Sequence, residues 1–363
     1  MTTAYPIQDY ALLSDEECAV KIQAAKATLG KRCIVLGHHY QRDEVFQHAD
    51  ISGDSLKLSK EASESDAEYI VFCGVHFMAE VADILSRPEQ IAILPDLAAG
   101  CSMADMANKV NVQRCWDELA TVIDVENEVT PVTYINSAAD LKAFCGQHEG
   151  IVCTSSNAQK ILEWSFAKRE KILFFPDQHL GRNTAFKMGI PLEEMVVWNF
   201  NKPMGGLTAE QIRNAKMILW GGYCSVHQFF QPEQIDAFLE RYPETKVIAH
   251  PEACFEVCQK ADFIGSTEYI LKTVREAEPN TRWLVATELN LVNRLHEECQ
   301  AQGKNVHFMS PALSMCSTMF RTDPQHLAWI LENLAAGHVV NQISVAPEEA
   351  KFAKIALDNM LAL

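Results

Sequence analysis

The chain has 363 residues, 48% apolar and 22% charged, with Gly 16 and Pro 14, which excludes a single small module and leaves no room for a long disordered or collagen-like tract. Lys and Arg total 31 against 48 Asp and Glu, a net charge of −17 that repels phosphate backbones and acidic lipid; nucleic acid and membrane surfaces are disfavoured as partners, while a locally positive pocket for a small anion stays open. No run reaches the roughly 18 apolar residues of a membrane span, and residues 1–9 lack a basic segment followed by an apolar core, so a cytoplasmic protein with reduced thiols is expected.

Short apolar runs alternate with amphipathic stretches along the whole chain, the pattern of βα units with parallel sheets, so the expected fold class is α/β. In chain order the pattern predicts a helix over 15–29, a strand over 33–37, a helix over 56–63, and strands over 69–73 and 91–94. Strands over 131–135 and 150–154, a helix over 158–168, a strand over 172–175, a helix over 208–215 and a strand over 217–220 come next. The rest reads as a helix over 233–242, strands over 246–249, 263–264 and 283–286, a helix over 289–298 and a strand over 306–309. Two helices close the chain, 324–336 with Asp323 as N-cap and Pro324 in its first turn, and 347–363.

The segments after the strands repeat one order of motifs three times. A polar cluster comes first: Gly37-His38-His39-Tyr40, Tyr134-Ile135-Asn136-Ser137 and His250-Pro251-Glu252. A hydroxyl cluster comes second: Gly53-Asp54-Ser55, Thr154-Ser155-Ser156-Asn157 and Gly265-Ser266-Thr267. Another polar strand end comes third, at 74–80, 176–182 and 287–290, and each third closes on one cysteine, Cys101, Cys224 or Cys316. The chain therefore reads as three divergent α/β repeats: residues 1–120, completed by the C-terminal helix 345–363; residues 121–230, carrying an extra stretch over 190–208; and residues 231–344.

In parallel sheets, ligands sit at the carboxyl ends of strands, where hydroxyls and helix-start N–H groups hold carboxylate or phosphate oxygens. An anionic substrate is expected, with His250 beside Glu252 suited to moving protons. Three cysteines from distant loops suit zinc or three corners of a 4Fe-4S cluster, and spacing alone does not choose: the C-x-x-C-x-x-C run of ferredoxins is absent, and among these three cysteines the close C-x-x-H pair is Cys224 with His227. Cys33, Cys73, Cys145 and Cys153 read as core, and Cys254, Cys258 and Cys299 as helix-face residues. The segment from Asp177 to Arg182 reads as a turn held by an Asp–Arg pair.

The motifs in order, among them Gly37-His38-His39-Tyr40-Gln41, Gly53-Asp54-Ser55-Leu56, Gly74-Val75-His76-Phe77-Met78-Ala79-Glu80, Ala99-Gly100-Cys101-Ser102-Met103-Ala104, Pro176-Asp177-Gln178-His179-Leu180-Gly181 and Gly221-Gly222-Tyr223-Cys224-Ser225-Val226-His227, resemble the quinolinate synthases, the A protein of bacterial NAD biosynthesis, from about residue 33 to 320. The resemblance implies three similar α/β domains around a pseudo-threefold axis, with Cys101, Cys224 and Cys316 each giving one ligand to a 4Fe-4S cluster whose open iron acts as a Lewis acid. It implies condensation of iminoaspartate with dihydroxyacetone phosphate to quinolinate, and contact with the L-aspartate-oxidising enzyme as a partner. Tyr40, His227, His250 and Glu252 take catalytic roles by the same resemblance, and His38, Ser55, Tyr134, Asn136, Ser155, Ser266 and Thr267 hold substrate, the middle hydroxyl being Ser155 or a neighbour within 154–156. His39 is given no catalytic role. The family's third cysteine commonly sits in a Cys-Pro-x-Met context; here the segment reads Met315-Cys316-Ser317-Thr318-Met319, which removes any thiol–disulfide switch built on neighbouring cysteines. A non-catalytic metabolite sensor on the same scaffold is the alternative, and it would lack the proton-transfer set.

Overall fold

The computed structural model describes residues 3–312 and 314–363. Its strands are β1 (Cys33–His38), β2 (Ile51–Gly53), β3 (Tyr69–Cys73), β4 (Ile91–Ile93), β5 (Val129–Tyr134), β6 (Ile151–Cys153), β7 (Lys171–Phe175), β8 (Met195–Trp198), β9 (Met217–Trp220), β10 (Lys246–Ala249), β11 (Phe263–Ile264), β12 (Arg282–Ala286), β13 (Asn305–Phe308) and β14 (Gln342–Ile343). They form three sheets, ordered β14-β4-β3-β1-β2, β6-β5-β7-β9-β8 and β11-β10-β12-β13. All pairs are parallel except β14 with β4, so the fold is α/β with several parallel sheets, as expected.

Each sheet contains the same core order. One strand (β1, β5 or β10) lies between a second (β2, β6 or β11) and a third (β3, β7 or β12), and a fourth (β4, β9 or β13) lies beyond the third. A local device marks the correspondence. The Asp50 carboxylate, just before β2, accepts from the Val35 N–H at 2.8 Å, and Asp262, just before β11, accepts from the Val247 N–H at 2.8 Å. At the matching register of the second sheet stand Pro131, which has no N–H, and Gly150, which has no carboxylate, so donor and acceptor are absent together. A Cβ on Gly150 would lie 2.1 Å from the Pro131 carbonyl oxygen, which explains the glycine.

The chain divides into two compact units. The first joins Met1–Cys101 to Met315–Ala346 and holds the β1 sheet. The β3 run Tyr-Ile-Val-Phe-Cys is buried throughout, as a central parallel strand covered on both faces must be. Helix Asp15–Leu29 starts on a capping box between Ser14 and Glu17 and packs Cys18, Ile22, Ala25 and Leu29 with Leu327, Ile330, Leu331 and Leu334 of helix Pro324–Ala335 over Val35, Val71 and Ile93.

The second unit joins Ser102–Ser314 to Pro347–Leu363 and holds the other two sheets. The C-terminal helix, Pro347–Leu361, packs on helix Ala139–Gln147 and on β6. It therefore sits on the second sheet rather than completing the first, and it is residues 315–346 that return to the first sheet, supplying helix Pro324–Ala335 and the antiparallel edge β14. The cause is close fit: helix Ala139–Gln147 is apolar on several sides, with Leu141, Ala143, Phe144 and Cys145 all buried, and Gly146 lets the Phe352 backbone approach so closely that a Cβ there would lie 2.0 Å from its carbonyl oxygen. The extra stretch over 190–208 supplies the edge strand β8.

Candidate active site

The polar clusters expected at strand ends stand there. In the first unit β1 ends at His38, buried at the sheet's carboxyl end, with the half-buried Tyr40 ring edge-on to it at 4.8 Å. Ser55 opens helix Ser55–Glu64, whose N-cap Asp54 accepts from the Lys57 N–H. Next to Tyr40, Gln41 donates to the Met319 sulfur at 3.5 Å, and the Arg42 guanidinium lies 3.5 Å from the centre of the Phe320 ring. Arg321 pairs with Asp96 at 2.8 Å. The segments bearing Tyr40, Cys101 and Cys316 are thus laced together by side chains that flank them, and Cys316 Sγ sits 3.3 Å from the Thr318 hydroxyl.

The second unit carries the buried acid–base group. Tyr134, at the end of β5, donates its hydroxyl to Glu252 Oε1 at 2.6 Å across 118 residues of sequence. Glu252 Oε2 lies 3.1 Å from His227 Nδ1, and the His227 and His250 rings face each other at 4.9 Å. His250 and Glu252, expected as a directly coupled pair, are 3.8 Å apart between Nδ1 and Oε1; the His250 Nδ1 instead accepts from the Glu252 backbone N–H at 3.4 Å. The carboxylate's close partners are Tyr134 and His227. The sulfur of Cys224, a ring nitrogen of His227 and a carboxylate oxygen of Glu252 lie within 4.8 Å of one another.

Burial sets the charges here. It pushes the Glu252 carboxyl up, but the imidazoles of His227 and His250 and the Tyr134 hydroxyl outweigh it and hold Glu252 well below the usual carboxylate range, so it is anionic. Burial pushes His250 down to about 3, so its ring is neutral. Asp177, wholly buried, is raised far above the usual range by burial and then by the nearby Glu252 charge. One of the two acids takes the charge, and it is Glu252, which has the imidazole and hydroxyl neighbours; Asp177 stays protonated and caps helix Gln178–Lys187 through the Leu180 N–H. Arg182 does not pair with Asp177: it bonds Gln178 and His179 on its own helix, so the turn is held by the cap.

The hydroxyl groups lie at helix starts. Ser266 caps helix Thr267–Glu276, and both Ser266 and Thr267 are buried. Ser155 is half-buried beside Thr154, whose hydroxyl and N–H both engage Asn157. Ser155, Ser266, Asn183 and Lys187 share the lining of one cavity of about 250 Å³. Asn136 is half-buried, with its side-chain oxygen unpartnered.

The cysteines separate by environment. Burial pushes up the thiols of Cys18, Cys33, Cys73, Cys115, Cys145, Cys153, Cys254, Cys258 and Cys299, as inert core or helix-face thiols require. Cys101, Cys224 and Cys316 are half-buried in the segments after β4, β9 and β13, the fourth strand of each sheet.

Comparison with known proteins decides the family. The profile described as Quinolinate synthetase A protein matches residues 20–362. The chain belongs to the quinolinate synthase family. The quinolinate synthase of Acidobacterium capsulatum is 54% identical over 360 residues, covering 99% of this chain and 96% of the relative. That of Herpetosiphon aurantiacus is 54% identical over 358 residues, 98% and 95% of the two chains, and that of Geobacillus thermodenitrificans 49% identical over 359, 98% and 96%. Among the described residues, no helix is long and apolar enough to cross a membrane. Sequence reasoning about the family residues missed the neutral Asp177 near Glu252 and the Gln41–Met319 contact; in the sequence Asp177 reads as part of a strand-end motif and as the partner of Arg182 in a turn.

Proposed function

We propose that this chain is a quinolinate synthase of NAD biosynthesis, condensing iminoaspartate with dihydroxyacetone phosphate to give quinolinate, phosphate and two waters, in the cytoplasm. The observation that carries the reading is the buried Tyr134–Glu252–His227–His250 group at strand ends of a chain 49–54% identical to the three quinolinate synthases named above along nearly its whole length. The three sheets are, in this reading, three copies of one α/β repeat about a pseudo-threefold axis; their common strand order and the Asp50/Asp262 device support it.

Cys101, Cys224 and Cys316 fit a cluster with three protein ligands: they are thiols at strand-end loops, half-buried where most of the other cysteines are sealed in the core. Within the second unit, residues next to them in the chain are in contact. Ser102 lies 3.4 Å from Ser225, and Ser314 donates to the Val226 carbonyl at 3.3 Å. A 4Fe-4S cluster held by three cysteines has one open iron, which supplies Lewis-acid chemistry for loss of a hydroxyl as water.

The chain's own residues do the rest. Ser55, Ser155, Ser266 and Thr267, at helix starts where N–H groups are unpaired, hold the carboxylate and phosphate groups, with Asn136 and His38 orienting the substrate carbon chain. The buried anionic Glu252 and the neutral His250 are proton acceptors, Tyr134 fixes the carboxylate, and His227 beside them completes the proton-transfer set. Tyr40 assists proton transfer in ring closure. The L-aspartate-oxidising enzyme is the proposed supplier of iminoaspartate.

Quinolinate formation by anaerobically prepared enzyme, followed by chromatography, tests the assignment. Tyr40→Phe separates synthase from sensor: a synthase loses turnover far more than substrate binding, whereas a sensor keeps its binding and has no turnover to lose. Absence of quinolinate from protein with a full cluster and both substrates contradicts the proposal.

A further inference from the structure

The spacing Cys224-x-x-His227 sets a thiol and an imidazole close together, and the family reading uses them separately, the thiol for the cluster and the imidazole for catalysis. In the structure the pair is joined by Glu252, so three different donor atoms, a sulfur, a nitrogen and an oxygen, gather within 4.8 Å. His227 is 1% exposed, and both ring nitrogens lack a hydrogen-bond partner. The Glu252 oxygen 3.1 Å from Nδ1 lies off the line of an N–H, so the closeness of the two atoms is not a hydrogen bond. A buried imidazole with two unsatisfied nitrogens, pressed against a carboxylate, is costly unless something lies between them.

We propose that when the chain carries no cluster, Cys224, His227 and Glu252 bind one zinc ion, and that zinc and the iron-sulfur cluster exclude one another because both need the Cys224 sulfur. Zinc at about 2.0–2.1 Å from nitrogen and oxygen atoms 3.1 Å apart subtends an angle of about 100°, close to tetrahedral. A tetrahedral zinc keeps sulfur and nitrogen about 3.6 Å apart, so the half-exposed Cys224, on a loop, needs to close by no more than about 1.2 Å. The surroundings complete the site: the Tyr134 hydroxyl holds Glu252 Oε1 at 2.6 Å and leaves Oε2 toward His227, the hydrogen-bonded carboxylate that metal ligands use. A thiolate with an imidazole selects zinc over magnesium or calcium, and three protein ligands leave the fourth position to water. Binding displaces the proton of the Cys224 thiol to solvent and involves no redox change. The exclusion rests on the proposed role of Cys224 in the cluster; the zinc site does not.

The test uses the full-length chain stripped of metal under anaerobic, reducing conditions and titrated with cobalt(II) as a spectroscopic stand-in, then with zinc. One cobalt per chain is expected, with visible bands of a tetrahedral site and a thiolate-to-cobalt charge-transfer band of single-thiolate intensity. Cys224→Ala abolishes the charge-transfer band, and Glu252→Gln and His227→Asn, each checked for folding by circular dichroism, weaken binding at least about tenfold. The double variant Cys101→Ala/Cys316→Ala, which has lost two proposed cluster ligands, keeps the band at full strength. A band that survives Cys224→Ala, or that disappears in the double variant, overturns the site. In parallel, untreated and zinc-loaded protein are supplied with iron and sulfide: the first takes up a cluster and the second does so only after a chelator removes zinc. Equal uptake by both overturns the exclusion, while failure of the untreated protein to take up any cluster counts against the cluster assignment and leaves the cobalt result standing.

Discussion

Tyr134→Phe removes one oxygen from a buried, charge-bearing contact and leaves the ring in place. The hydroxyl donates at 2.6 Å to Glu252, both residues are 4% exposed, and the acceptor is held anionic. A hydrogen bond to a charged group contributes about 1.5–3 kcal/mol, which as a rate effect is about 10- to 150-fold. Without it the carboxylate is free to turn away from His227, and one of the influences that keep it ionised is gone, so its pKa rises. The expected result is a fall in kcat of tenfold or more with KM changed less than about threefold, and an acid limb of kcat displaced to higher pH, read by quinolinate production across pH. Thermal melting run alongside separates a structural role, which lowers Tm and leaves the acid limb where it was. A variant with kcat within about twofold of the parent and an unmoved pH profile would refute the reasoning that Tyr134 sets the position and charge of Glu252.

Two further outcomes test the packing and the electrostatics. His179 is 7% exposed, and burial lowers its pKa from 6.5 to about 4. Below pH 6.5 the unfolded chain binds a proton that the folded chain does not, so stability is lost as pH falls toward 4; the 6.5 − 4 = 2.5 units correspond to about 3 kcal/mol, and His179→Gln should flatten this part of the profile in urea unfolding at pH 7 and pH 4.5. Identical acid slopes for parent and variant contradict the reading. Gly146→Ala should destabilise by about 1–3 kcal/mol through its clash with the Phe352 carbonyl, where the same change on a free helix stabilises by about 0.5–1 kcal/mol; the sign of the Tm shift tells whether the C-terminal helix docks there.

The central strands are legible in the sequence because they are buried on both faces and so read as unbroken apolar runs, such as Tyr69–Cys73 and Lys171–Phe175. The strands that escape, β2, β8 and β14, are edge strands of four residues or fewer, too short to impose a pattern. Helix His76–Leu85 reads as a polar strand end, since Phe77, Met78, Ala79, Val81, Ala82, Ile84 and Leu85 are all buried and leave no clean amphipathic period. The place of the C-terminal helix depends on a single glycine on a helix about 200 residues earlier, which no local pattern displays. At the site, strand-end logic brings out the right residue types but not their partners. His250 and Glu252 look like a pair because they are close in sequence, while the contact that orients the carboxylate comes from Tyr134 on another sheet.

The proposed chemistry needs a cluster shared by three distant cysteines, and anaerobic iron and acid-labile sulfide analysis measures that directly. Parent protein should contain about four iron and four sulfide per chain with broad visible absorbance, and Cys101→Ala, Cys224→Ala and Cys316→Ala should each lose the cluster together with quinolinate formation. A chain that makes quinolinate while free of iron, or that keeps its cluster after all three substitutions, contradicts the assignment.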